Sequence, residues 1–303
     1  MSFHSGEIAV QTQAGKREEA QKLCSVISDF IKPAAQEFLV TQQLAIAATV
    51  DIHGQVWASL LTGQPGFIQA LNQQTLEISL DGSLTPSDPL YQNLHHNQNI
   101  GLLVIDLSNR RRSRFNGKAE LGSDSIKIQV TQTFFNCPKY IQTRHIEKNI
   151  TESREQSQTF TRETLSVKHQ NWITQADTFF IASFHPESGA DASHRGGFPG
   201  FIQVLNHRQL LFPDYAGNNM FQTFGNLQIN PNAGLLFIDF ETGNILQLIG
   251  KAKVIWDADR LNEFIGAERL VEFEIEQVLE TANSTPLRWQ FGEYSPANPK
   301  VEK

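Results

Sequence analysis

Arginines and side-chain amides are the groups in this chain best suited to chemistry. Arg195 stands in Ser193-His194-Arg195-Gly196-Gly197. A guanidinium is the side chain best shaped for a two-pronged contact with phosphate or carboxylate; the plain alternative is a surface arginine. A second cluster, Arg110, Arg111, Arg112 and Arg114, falls in one run, RRRSRFNG. Charge runs are usually solvated, so a hairpin surface is the competing reading there. Asn136, Cys137, Lys139 and Tyr140 follow in NCPKYIQ. Cys137 beside Lys139 reads as a buried structural cysteine in preference to a reactive thiol. His4 and Glu7 have the types and spacing of an acid–base pair, set against an irregular leader. His95-His96 reads as a helix surface, since no carboxylate or cysteine cluster accompanies it, and no metal site is expected. There is no GxSxG, GxxxxGK(S/T) or GxGxxG, so serine hydrolase, P-loop and Rossmann readings have no support.

The bulk numbers narrow the setting. The chain has 303 residues, 40% of them apolar, which favours about two domains. Its net charge of -7 argues against nucleic acid as a partner. Two cysteines are too few for a disulfide framework. No secretion-type signal opens the sequence and no apolar run approaches the ~20 residues of a membrane helix, so a cytoplasmic protein without membrane partners is expected.

The elements that must position these residues come in two copies. Gly63–Asn72 (GQPGFIQALN) and Gly197–Asn206 (GFPGFIQVLN) agree at eight of ten positions. Asn97–Asp106 (NQNIGLLVID) and Asn230–Asp239 (NPNAGLLFID) agree at seven of ten. Gly117-Lys118-Ala119 matches Gly250-Lys251-Ala252, and the three offsets are 134, 133 and 133. A period this long means two domain-sized copies, not a solenoid. Short apolar runs bounded by turn residues, with one helix per copy near Met220–Asn230, predict mainly β structure with some helix, and a barrel in each copy. The expected organisation is a leader and helix (1–35), copy one (36–135), a helical connection (136–172), copy two (173–282) and a tail (283–303). Within the first segment, Glu18–Ile31 reads as a helix stopped by Pro33, after an irregular stretch over 1–17. The tail is rich in Pro and Asn and reads as partly disordered.

Several stretches resemble one family. Ser193-His194-Arg195 before a strand, Leu211-Phe212-Pro213-Asp214, the loop Gly217-Asn218-Asn219, a helix closing on Asn230-Pro231 and a strand closing on Gly250 are similar to the pyridoxamine 5'-phosphate oxidase-related FMN-binding split barrels. Phe3–Glu7, Arg110–Gly117, Asn136–Gln142 and Arg195–Phe201 resemble the two-copy members of that group, predicted flavin-nucleotide-binding proteins. The resemblance implies two tandem split barrels forming a pseudo-dimer, with FMN held between them. On that pattern Arg195, Asn218, Asn219 and the backbone at Met220 would cradle the phosphate. Ser193 and His194 would reach the phosphate or the ring edge, Gly196 and Gly197 would let backbone approach the ring, and Phe212 would end the adjoining strand. Copy one would send Arg112, Arg114 and Asn116 across, with Lys139 lining the same crevice, and His4 and Glu7 would be the catalytic candidates.

The copies differ where the resemblance places the cofactor. Arg195 aligns with Leu61, His194 with Leu60 and Asn218 with Asp88, so copy one reads as having lost this half of the site. One FMN per chain is expected, serving an FMN-dependent oxidoreductase that acts on a small molecule with an electron donor or acceptor. Two other readings stay open: a flavin carrier without turnover, and a split barrel that has exchanged FMN for heme or a deazaflavin, with His194 the histidine in position to be an axial ligand. The fused pair can satisfy a dimer interface alone, and a further homodimer is left open.

Overall fold

Leu44–Val50 (LAIAATV) is buried along its whole length, and the alternation of its side chains shows why. Ala45 and Ala47 face one apolar core, while Leu44, Ile46, Ala48 and Val50 face another. A strand buried on both faces must lie between two layers, and this one does. The computed structural model describes residues 3–80, 87–147 and 157–300.

Copy one contributes β1 (Leu44–Val50), β2 (Val56–Thr62), β3 (Ile68–Ala70), β4 (Thr75–Ser79), β5 (Asn99–Asp106), β6 (Arg111–Leu121) and β7 (Ser125–Phe135). After β8 (Arg144–Ile146) and β9 (Gln158–Arg162), copy two contributes β10 (Thr178–His185), β11 (Gly189–Gly196), β12 (Gln203–Asn206), β13 (Gln209–Tyr215), β14 (Asn232–Ile238), β15 (Ile245–Ile255) and β16 (Ala267–Ala282). The first sheet runs β2-β1-β5-β6-β7-β4-β3 and the second β11-β10-β14-β15-β16-β13-β12, the same order shifted by nine strands. Every pairing in both sheets is antiparallel. The duplication read from three sequence blocks thus extends to strand order, and the fold is two tandem split barrels, mainly β with helices attached.

Each barrel has its own core, phenylalanine-rich in copy two, where Phe179 packs against Phe201, Phe212 and Phe237. A third apolar cluster joins the copies, with Ile46, Ala58 and Leu103 meeting Phe180, Ala192 and Leu236. Two glycines at equivalent positions show how close the sheets come. A Cβ at Gly101 would lie 2.4 Å from the Ala190 carbonyl oxygen, and one at Gly234 would lie 2.5 Å from that of Val56. Val56 and Ala190 are themselves equivalent, so the contact is reciprocal, as a two-fold-related interface requires.

Among the described residues seven helices decorate the sheets: α1 (Ser5–Gln13), α2 (Arg17–Leu23), α3 (Pro33–Leu39), α4 (Leu90–His96), α5 (Val167–Gln175), α6 (Gln222–Ile229) and α7 (Ala258–Leu261). Three local expectations change. The leader is not irregular: α1 carries a reciprocal cap between His4 and Glu7 and lies against α6, with Gly6 and Gly225 at the crossing. The stretch expected as one helix over 18–31 breaks after Val26, because Ser28 bridges to Thr133 on β7; Pro33 then starts α3 at its first turn, where a missing N–H costs nothing. The tail forms β17 (Trp289–Phe291) against β8, and Ser295 and Asn298 are buried. The connection is helical only at α5, and residues 148–156 within it lie outside the described set. Among the described residues no helix is long and apolar enough to cross a membrane.

Candidate functional site

β6 crosses from copy one to face β11 and α6 of copy two, and a cleft forms where they meet. Alternation along β6 decides which side chains cross. Arg112, Arg114 and Asn116 point to copy two, while Phe115 fills the barrel behind them. Arg114 is held hardest: one terminal nitrogen donates to Asp191 at 2.9 Å and Gln222 at 2.7 Å, the other to Ser193 at 2.5 Å. Asn116 donates to the same Asp191 oxygen at 2.6 Å. Arg112 donates to the carbonyls of Cys137, at 2.6 and 2.9 Å, and His194, at 3.4 Å, and meets no carboxylate. Burial, with Arg114 next to it, lowers the Arg112 pKa to about 10.

Copy two supplies the other wall. Arg195 pairs with Asp214, whose second oxygen takes Arg269 at 2.7 and 2.8 Å. Both arginines lie over phenylalanine rings, Arg195 over Phe224 and Arg269 over Phe221. His194 is buried, and neither ring nitrogen has a hydrogen-bond partner. Burial, and then the positive charges of Arg112, Arg144 and Arg195, hold its pKa well below the usual histidine range, so the ring is neutral. The Arg195 Nε, the Arg114 Nε and the Asn136 Oδ1 also lack partners. Buried polar atoms usually find one, so this concentration in one cleft marks a place that a ligand would complete.

The mouth is built from strained loop backbone. Asn219 and Phe221 both have φ of 59°, in the left-handed region, just before α6. Asn218 accepts from the Met220 N–H, and Asn219 donates to Glu19 on α2. From the other side Tyr140, also left-handed at φ 66°, donates its hydroxyl to the Ala216 carbonyl at 2.9 Å, and Lys139 reaches the same oxygen at 3.4 Å. These two contacts strap the mouth.

Ser193, His194, Arg195, Gly196, Asn218, Asn219, Arg112, Arg114 and Lys139 therefore line one cleft. Other expected residues lie elsewhere. Phe212 is 1% exposed inside the copy-two barrel, because its place in β13 turns it inward. Gly197 gives its N–H to the Asp177 carbonyl, and the space where its side chain would stand is taken by Phe201. The Met220 N–H, expected at the phosphate, is bonded to the Asn218 side chain, α6 starts only at Gln222, and the Met220 side chain packs with Phe3, Ala20 and Phe134. Asn116 stands behind the wall on Asp191. His4 and Glu7 do not line the cleft either: they cap α1 one layer back, linked through Asn226 to Asp191. Burial pushes the Glu7 carboxyl up to about 8, against the opposing hydrogen bond from the His4 N–H, so it is largely protonated near neutrality. Sequence reasoning missed Asp191, Asp214, Gln222 and Arg269. Asp191 and Asp214 alternate with the expected residues along their strands, but only the fold shows which arginine each one meets.

The copies also align differently at one position. Gln247, equivalent to Arg114, donates to Asp88 at 3.2 Å, as Arg114 donates to Gln222. Asp88 thus occupies the place of Gln222 in space, not that of Asn218.

A family model described as pyridoxamine 5'-phosphate oxidase matches residues 31–132 and again 165–282. No curated protein matches. Solved structures that the chain is similar to include HupZ from Group A Streptococcus, at 9% identity over 37% of this chain and 90% of that one, with a TM-score of 0.31. An FAD binding protein from Mycobacterium smegmatis is similar at 16% identity over 39% and 97%, TM-score 0.29. A Clostridium acetobutylicum protein related to general stress protein 26 of B. subtilis, of the pyridoxinephosphate oxidase family, is similar at 10% identity over 41% and 92%, TM-score 0.28.

Proposed function

The chain belongs to the pyridoxamine 5'-phosphate oxidase family, and from that premise we propose that it holds one FMN in the cleft between its copies and works as an FMN-dependent oxidoreductase on a small molecule. The observation that carries this is the charge of the cleft. Five cations line it, Arg112, Arg114, Lys139, Arg195 and Arg269, and they contact three carboxylates, Asp191, Asp214 and Glu268. The surplus of two matches a phosphomonoester near -2. Its location is specific: Arg112 and Lys139 are the lining cations without a carboxylate partner among the described residues. They, with the amides of Asn218 and Asn219, would meet the phosphate. Arg195 keeps its charge on Asp214 and offers its free Nε, a smaller part than the sequence assigned to it.

Bound FMN would supply hydride or electron transfer. The protein would bind, orient and exclude water. Neutral His194, with one N–H and one lone pair unused, would hydrogen-bond the polar edge of the ring. At about 120 Å³ the cavity is smaller than the ~300–1,000 Å³ of small-molecule sites, so the Tyr140–Lys139 strap would have to release Ala216 to admit the cofactor.

Absorbance of the purified protein tests the reading. FMN titrated into the chain should bind once per chain and show the bands of oxidised flavin. A Soret band, or no uptake of FMN, would overturn it. Bleaching by NADH or NADPH and recovery with an acceptor separates an enzyme from a carrier. Arg112→Ala should weaken FMN by roughly 10- to 100-fold, the value of one charge-assisted hydrogen-bonded contact, and should do so more than Arg195→Ala.

A further inference from the structure

A second cavity, of about 440 Å³, lies between α5, the start of β10, the end of β14 and the β8–β17 ribbon. It shares no lining residue with the cleft. Its volume falls within the ~300–1,000 Å³ of small-molecule sites. The walls are aromatic: Trp172, Phe240, Trp289 and Phe291. Arg144 lies at its base, 4.1 Å from the Phe240 ring centre and bonded by one nitrogen to both oxygens of Asp177, at 2.6 and 2.7 Å. Its other terminal nitrogen has no partner, and neither has the Thr178 hydroxyl; the two residues are 8% and 3% exposed. A paired guanidinium with a free donor and a buried free hydroxyl ask for acceptors on a ligand. At the rim neither Asp239 nor Glu241 has a cationic partner among the described residues: Asp239 accepts the Glu241 and Thr242 N–H groups on one oxygen and keeps the other for a donor, and Glu241 is exposed. Three carboxylates against one guanidinium disfavour an anion.

We propose that this cavity binds an uncharged, amino-substituted nitrogen heteroaromatic ring of the nucleobase type, as a nucleoside and not as a nucleotide. The ring stacks on the aromatic wall, its acceptors face Arg144 and Thr178, and its amino group faces Asp239 and Glu241. The reading does not depend on flavin in the cleft.

The chain reports on the site directly, because two of its four tryptophans, Trp172 and Trp289, line it. Adenosine titrated into the full chain, without FMN and again with it, should quench tryptophan emission to the same plateau fraction. Adenosine 5'-phosphate should bind at least tenfold more weakly. Thr178→Val should weaken adenosine by roughly three- to tenfold, the value of one neutral hydrogen bond, while melting no lower than the parent, since it removes an unpaired buried hydroxyl. Trp172→Phe should reduce the quench and keep the binding. The proposal fails if millimolar adenosine gives no quench, if the phosphate binds as tightly, if Thr178→Val leaves the affinity unchanged, or if excess FMN competes, which would put adenosine in the cleft.

Discussion

Glu7→Gln should stabilise this protein by an amount that grows as pH rises from about 4.5 to about 8. The Glu7 side chain is buried under α1, where it accepts the His4 N–H at 2.8 Å. Burial raises its carboxyl from 4.5 to about 8. The unfolded chain gives up this proton near 4.5, while the folded chain keeps it to about 8. Between those values the folded state binds more protons, so stability falls as pH rises through the window and is level above it. Below 4.5 both states are protonated and Glu7 costs nothing. The shift corresponds to at most about 5 kcal/mol. Release of α1 from α6 caps that figure, because the ionised carboxylate can reach water by local undocking instead of global unfolding. Glutamine keeps an oxygen for the His4 N–H and carries no charge at any pH. Urea unfolding of parent and variant at pH 5, 6.5 and 8.5 should show a gap widening from under about 1 kcal/mol to about 2–4 kcal/mol. Amide exchange should show residues 5–13 losing protection with rising pH in the parent alone. A gap that does not change with pH, or a parent more stable than the variant at pH 8.5, would refute the assignment of a buried, proton-holding Glu7.

Three other substitutions test separate parts of the account. Gly101→Ala puts a Cβ against the Ala190 backbone, where nothing flexible can give, and should cost at least about 1–3 kcal/mol in chemical denaturation; Gly234→Ala should cost a similar amount against Val56. Asp214→Asn leaves Arg195 and Arg269 without their shared carboxylate and should cost about 3–5 kcal/mol, read by the same method. His194→Leu removes two unpartnered nitrogens and should leave the melting temperature unchanged or higher, yet weaken FMN by roughly three- to tenfold in a fluorescence titration.

The fold was legible because repetition and alternation are written locally. Two matching blocks around Gly66 and Gly200 and two around Gly101 and Gly234 carry the same turn and the same close approach, and each demands a particular residue type. The strand LAIAATV announces burial on both faces by having no polar position but Thr49. The site was legible only in outline. Arg195 and Arg112 look alike in sequence. They differ in the structure because β13 brings Asp214 to one and no described element brings a carboxylate to the other. That difference is a matter of register between strands far apart in the chain, and spacing does not encode it. The leader was misread for a similar reason. Gly6 is a poor helix residue by propensity, but it is what lets α1 lie on Gly225 of α6.

The asymmetry between the copies follows from what buried charge costs. Arg114, Asp191 and Arg195 have as equivalents Gln247, Trp57 and Leu61, and Asn116 has Ile249. On that side Trp57 packs on Ile249 and Leu279, where its counterpart Asp191 takes hydrogen bonds from Arg114, Asn116 and Asn226. Burying an ion pair is commonly no more stabilising than an apolar contact of the same size, and a network with missing partners is worse. A duplicated barrel has no structural reason to keep two such networks. Apolar packing in one copy is what stability alone favours. The charged, incompletely bonded cleft in the other is what stability alone does not favour, which agrees with the ligand-binding role proposed for it. On this argument, Leu61→Arg, which puts a guanidinium at the copy-one position equivalent to Arg195, would lower stability without creating FMN binding there, since Leu61 lies in the copy-one core and Leu80, equivalent to Asp214, offers no carboxylate.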